Sequence, residues 1–145
     1  MFRQSVGSIL EPRAPVAVAL QSTVAEAAVL MKGHRVGAVL VVDEGRLVGI
    51  FTERDAVYRV MAAGRDPFAT PLGEVMTRYP KTVEPAETFG YALLVMHENG
   101  FRHLPVVDQG KPIGVLSARR ALDPALEEFT AEAARRKSIR RRATS

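Results

Sequence analysis

A chain of 145 residues, 47% hydrophobic and 25% charged, has room for one compact domain or two small intertwined halves, and can bury a core. It has no cysteine, which excludes disulfides, thiolate chemistry and cysteine-based zinc sites and fits a reducing cytosol. The net charge of +4 is uneven: residues 123–145 carry six Lys/Arg against four acids, the rest is nearly balanced, and charge therefore says little about the folded part.

In chain order, residues 1–15 hold two arginines and a glutamate with no apolar run of signal-peptide length. The longest apolar stretches, such as residues 37–42, are strand-sized and far short of the ~20 residues that cross a bilayer. A cytoplasmic protein with no membrane partner is expected. Residues 5–10 read as a short lead-in helix, and 16–20 as an extended segment. Thr23 follows as a helix cap, with Glu26 completing a capping-box pattern. Val24, Ala27, Ala28 and Met31 recur at helical spacing, and Gly33 is expected to end that helix. Residues 38–42 form a buried strand, Asp43-Glu44-Gly45 a tight turn, 47–51 a second strand, and a helix starts at Thr52.

The same order then repeats. A lead-in helix over 71–76 precedes an extended segment at 81–84 and a cap at Thr88. Phe89, Ala92, Leu93 and Met96 mark a helix that Gly100 ends. A strand at 104–107, the turn Asp108-Gln109-Gly110, a strand at 112–116 and a helix start at Ser117 follow. Shifting the chain by 65 positions superposes residues 14–55 on 79–120 with 11 identities in 42 positions and no gap, among them Pro15/Pro80, Met31/Met96, Gly49/Gly114 and Arg54/Arg119. The chain is a duplication. Each unit is β-α-β-β-α and cannot bury its apolar face alone. The fold class is therefore α+β: two tandem units packed as a pseudo-two-fold pair, sheets facing each other and helices outside. The expected division is a lead-in over 1–15, a first repeat over 16–66, a second with its lead-in over 67–122, and a basic, helical and then frayed tail over 123–145. Residues 1–122 act as one module.

The stretches VLVVDEGRLVGIFTERD (39–55) and FRHLPVVDQGKPIGVLSARR (101–120), with MTRYPKTVEP (76–85), resemble the CBS repeat family over residues 5 to 122. The resemblance implies that two repeats form one module, that modules dimerise, here as a homodimer, and that adenosine-containing ligands bind in clefts between repeats. It also implies a regulatory sensor acting on another protein, whose identity is unknown.

Binding in such a module would centre on Gly49-Ile50-Phe51-Thr52-Glu53-Arg54-Asp55. Gly49 allows close approach to the strand. Thr52, where strand becomes helix, can cap the helix and touch a phosphate oxygen, and the first helical N–H groups favour an anion. Asp55 can accept hydrogen bonds from ribose hydroxyls. The bland reading of the same stretch is a helix start with Thr52 and Asp55 as its capping pair. The second copy keeps Gly114 and Ser117 but has Arg120 in place of the acid, and arginine cannot accept. By the resemblance, Arg102, His103 and Arg119 complement Thr52 and Asp55 as phosphate contacts, Lys81 and Thr82 read the adenine edge through their backbone, and Pro105 lines the base pocket. The bland reading of Arg102-His103 is a solvated strand edge. One competent cleft per chain is the expectation, for AMP, ADP or ATP, with S-adenosylmethionine or NADH as other adenosine ligands. No cofactor is required and no metal site is expected; His34 and His97 read as surface helix residues.

An enzyme is not expected: there is no nucleophile elbow, no phosphate-binding loop ending in Gly-Lys-Ser/Thr and no paired-carboxylate signature. Two other readings stand beside the sensor. One is a ligand-free dimerisation or scaffold module. The other is a nucleic-acid-associated protein, through Arg135-Arg136-Lys137 and Arg140-Arg141-Arg142; a terminal charge run without aromatic interleaving is more often a solvated end.

Overall fold

The computed structural model describes residues 1–118 and 123–144, and the side chains of residues 1–118 and 130–140. Its elements are α1 (Val6–Ile9), β1 (Ala17–Ala19), α2 (Val24–His34), β2 (Ala38–Asp43), β3 (Arg46–Thr52), α3 (Glu53–Asp55) continued by a π-helical turn (Ala56–Met61), α4 (Leu72–Val75), β4 (Thr77–Arg78), α5 (Phe89–Asn99), β5 (His103–Asp108), β6 (Lys111–Ser117) and α6 (Asp123–Thr144). It is an α+β pair of like units.

Local chemistry sets the boundaries. Thr23 accepts from the Glu26 amide at 3.1 Å while Glu26 reaches back to the Thr23 amide at 3.4 Å, which closes the expected capping box on α2. Thr88 accepts from the Tyr91 amide at 3.2 Å and starts α5. Both hairpins turn on two residues with positive φ, Glu44 (51°) and Gly45 (78°), then Gln109 (49°) and Gly110 (80°). That is the mirror-image turn whose twist matches the flanking strands, and glycine takes its second position without Cβ strain. Gly100 ends α5 with φ 71°, as expected. Gly33 does not end α2: the helix runs to His34, and Arg35 takes the left-handed cap with φ 55°. The bond from the Val36 amide to the Met31 carbonyl, 3.0 Å, closes the helix there instead.

In the first unit β1 lies parallel to β2, β2 antiparallel to β3, and β3 antiparallel to β4, so the sheet has four strands in that order. The second unit is leaner. Strands β5 and β6 pair, and the opening strand expected at 81–84 contributes a single parallel bridge, Val83 to Val106. The two sheets meet through Ala38, Leu40 and Ile50 on one side and Val115 on the other. Behind the first sheet, Val39, Val41 and Phe51 pack on α2 through Val24, Ala27 and Met31. Behind the second, Leu104, Val106 and Leu116 pack on α5 through Phe89, Ala92 and Met96. Alternation along the strands thus supplies both faces.

The lead-in helices cross over. Leu72 and Val75 of α4, together with Met76, belong to the core of the first unit. Val6 of α1 belongs to the core of the second, and Gly7 donates to the Pro85 carbonyl at 2.9 Å. Two glycines admit these crossings. A Cβ on Gly49 would collide with the Met76 sulfur, and one on Gly114 would come within 2.7 Å of Leu10. Each unit is completed by the segment that precedes the other.

Candidate functional site

A cleft of about 1090 Å³ opens between the units at the end of the sheets where β2 begins and β3 finishes. Its position follows from the pairing. Ala38 is opposite Thr52 in the first hairpin, His103 is opposite Ser117 in the second, and all four line the cleft. The Glu53 amide donates to the Gly37 carbonyl at 3.0 Å, and the Ala118 amide to the Arg102 carbonyl at 2.9 Å, so both helix starts are tied to the residue just before a strand.

Thr52, Arg102 and His103 therefore come together, as the sequence suggested. The wall at Gly37 is close: a Cβ there would lie 2.7 Å from Glu53 Oε1 and 2.9 Å from His103 Nε2. Only a bare backbone leaves that corner open. His103 has its pKa lowered from the ordinary value of 6.5, chiefly by burial, with the Glu53 carboxylate opposing the shift and Arg102 adding to it. Arg54 reaches across the units and donates to the Gly100 carbonyl at 3.0 Å, anchoring α3 to the end of α5.

Asp55 holds a different position. It is 8% exposed and lies behind the cleft wall. Its Oδ2 accepts from the Thr52 amide at 3.0 Å and the Thr52 hydroxyl at 3.1 Å, while its own amide donates to that hydroxyl at 3.2 Å. Arg59 approaches its Oδ1 at 3.5 Å and donates to the Met76 carbonyl at 3.0 Å. The capping pair weighed in the sequence is present, and it is wired to the crossing lead-in.

The remaining candidates lie elsewhere. Thr82 lines a second cleft of about 560 Å³ at the opposite, hairpin-turn end, with Tyr79, Pro80 and Lys111. Lys81 is exposed and lines neither cleft, and Pro105 is fully buried between the sheets. The cause is topological: β4 runs antiparallel to β3, with Arg78 opposite Gly49 and Thr77 opposite Ile50, which carries the chain away from Thr52. Arg119 and Arg120 lie outside the described residues.

What the sequence reading missed is the matching stretch of the first unit. Ala14, Pro15 and Val16 line the large cleft, because β1 runs parallel to β2 and the Val16 carbonyl accepts from the Leu40 amide at 2.9 Å. A signal is present in the self-alignment, where the 65-residue offset carries Lys81 onto Val16 and Pro80 onto Pro15. His34, read as a plain surface residue, also lines the cleft.

The family model for the CBS domain matches residues 6–62 and 72–126. The CBS domain-containing protein YhcV of Bacillus subtilis is 40% identical over 100 residues, 69% of this chain and 71% of its own length. Other curated relatives are longer, and the matched stretch spans as little as 14% of one. Among solved structures, a CBS-domain containing protein from Agrobacterium tumefaciens aligns with a TM-score of 0.77 at 30% identity, covering 84% of this chain and 99% of its own. A CBS domain protein from Pyrobaculum aerophilum, complexed with AMP, aligns with a TM-score of 0.73 at 28% identity, covering 80% and 88%. Among the described residues, no helix is long and apolar enough to cross a membrane.

Proposed function

Because this chain belongs to the CBS-domain family and carries the paired repeats of a regulatory module, we propose that it senses an adenosine nucleotide in the large cleft between its repeats. The observation that carries this reading is the convergence, across the two units, of the Thr52 helix start with Arg102 and His103 around the bare backbone of Gly37. An anion placed there would meet a planar guanidinium that binds two oxygens at once, and an imidazole. Ala14–Pro15–Val16 would face the base. Asp55, behind the wall, would hold the Thr52 hydroxyl and the helix start in place. The AMP held by the Pyrobaculum protein supports the ligand class.

Such a ligand would bridge both units, and so would shift any equilibrium between their relative arrangements by its differential affinity. That is how binding would be signalled to a regulated partner. No step of this kind breaks a covalent bond, and the role is that of a sensor. A homodimer and a cytoplasmic setting complete the reading.

The test is a thermal-shift titration with AMP, ADP, ATP, S-adenosylmethionine and NADH. A ligand at a hundred times its dissociation constant adds about 2.7 kcal/mol, a rise of several degrees in Tm at this size. A rise with any adenosine ligand that Arg102→Ala abolishes supports the reading. No rise with any of the five on well-folded protein leaves the scaffold reading in its place.

A further inference from the structure

The first turn of α3 does more than wall the cleft: it grips the segment of the other unit that carries the cations. Thr52 caps that turn and lines the cleft. Next to it, Glu53 Oε1 and His103 Nε2 lie 2.7 and 2.9 Å from one point, the place a Cβ on Gly37 would take. Arg54, which borders the same cleft, donates from Nη1 to the Gly100 carbonyl at 3.0 Å, a bond between residues 46 apart in the chain. Residues 52–54 of the first unit thus meet residues 100–103 of the second at both ends of a short stretch.

The acceptor suits a guanidinium. Gly100 is the left-handed cap of α5, φ 71°, and its amide closes on the His97 and Met96 carbonyls. Its own carbonyl stands at the negative end of that helix, where a cation is favoured. Within the second unit the stretch that follows is held by the Phe101 amide on the Met96 carbonyl, 3.1 Å, and the Ala118 amide on the Arg102 carbonyl, 2.9 Å. Arg54 adds a tie from the first unit, two positions before Arg102.

We propose, resting on the nucleotide reading above, that Arg54 is the positioning residue of the large cleft. It sets the separation between Thr52 on one unit and Arg102 and His103 on the other, at the spacing the nucleotide bridges. It acts through Gly100 and not by contact with the ligand. Brace and nucleotide span the same gap, so each stabilises the arrangement the other needs. Without the brace the nucleotide must itself order residues 100–103, and that cost is subtracted from its affinity.

The test combines calorimetric titration of the full chain with AMP and ATP and amide spectra of the ligand-free protein. Arg54→Met keeps the stem and removes the donors, while Arg54→Lys keeps a donor and the charge. Arg54 is exposed, and circular dichroism verifies the fold of both variants. Arg54→Met is expected to shift the amides of residues 100–103 in the ligand-free chain and to weaken binding about fivefold, the scale of one net hydrogen bond. Arg54→Lys is expected to restore both. Weaker binding with those amides unmoved would overturn the brace, since Arg54 would then act on the ligand directly. Unchanged affinity would overturn it too, whether or not the amides move. In these cases wild type still binds and the nucleotide reading stands. Binding of neither nucleotide by wild type would overturn both.

Discussion

The two repeats share a sequence pattern and a hairpin geometry, yet they give the cleft different things. The first unit contributes a helix start closed by its own acid, Thr52 with Asp55, and a sheet widened to four strands by the segment before the second unit. The second contributes the cations Arg102 and His103 from a two-stranded sheet whose third member is one bridge. Duplication produced one scaffold twice, and the large cleft between the copies is lined by Thr52 from one and by Arg102 and His103 from the other. The crossing lead-ins bind the copies together, so neither core closes without the other's preceding segment.

Removing a crossing tests that interdependence with the largest effect. Leu72→Ala, in the segment leading to the second unit, should cost about 2–5 kcal/mol by leaving a cavity in the core of the first. Hydrogen exchange should show amides of β2 and β3 losing protection before those of β5 and β6. Simultaneous loss in both units would mean that they unfold as one body.

Overpacking comes next. Gly49→Ala drives a Cβ into Met76, which is buried, whereas Gly114→Ala meets Leu10, which is half-buried and can move. The first should cost about 1–3 kcal/mol and the second less, measured by urea denaturation. Equal costs would show that the two crossings are packed alike.

Asp55→Ala removes the acceptor of two Thr52 bonds and should lower stability by about 0.5–2 kcal/mol without ligand, the range for losing a helix cap.

The smallest effect is electrostatic. Because the fold holds the His103 pKa below 6.5, the unfolded chain takes up that proton first as pH falls. The contribution of His103 is complete above pH 6.5 and is lost progressively below it. Wild type should therefore lose stability between pH 7.5 and 5.5 more than His103→Gln does, read as the difference in denaturation midpoints. A phosphate beside the imidazole would raise the same pKa, so nucleotide binding near neutral pH should take up protons, which titration in buffers of different ionisation enthalpy detects.

Much of this was legible in the residues. The 65-residue offset, the Thr23–Glu26 box and the two Asp-x-Gly turns each carry a local physical signature, and both hairpins and both capped helices lie where these point, while the strand expected at 81–84 is a single bridge. The meeting of Thr52 with Arg102 and His103 was also foreseen. What the pattern did not hold was strand direction beyond the hairpins: nothing local in Thr77-Arg78 says that it pairs antiparallel with β3 and carries Lys81 and Thr82 to the far end. Nor does the spacing of Thr52 and Asp55 reveal whether the carboxylate faces the ligand or the helix start. Arg35 as a left-handed cap one residue beyond His34 is likewise decided by how α2 meets β2, since Gly33 would have served a shorter helix.

The central claim, a nucleotide in the large cleft between the repeats, is tested most directly by amide chemical shifts on titration with AMP. The account predicts that the perturbed residues cluster at Val16, Gly37, Thr52 and residues 101–103 and 117, with Arg102→Ala weakening binding at least tenfold. Perturbation confined to Tyr79, Thr82 and residues 109–111 at the opposite end would contradict it and place the ligand in the smaller cleft.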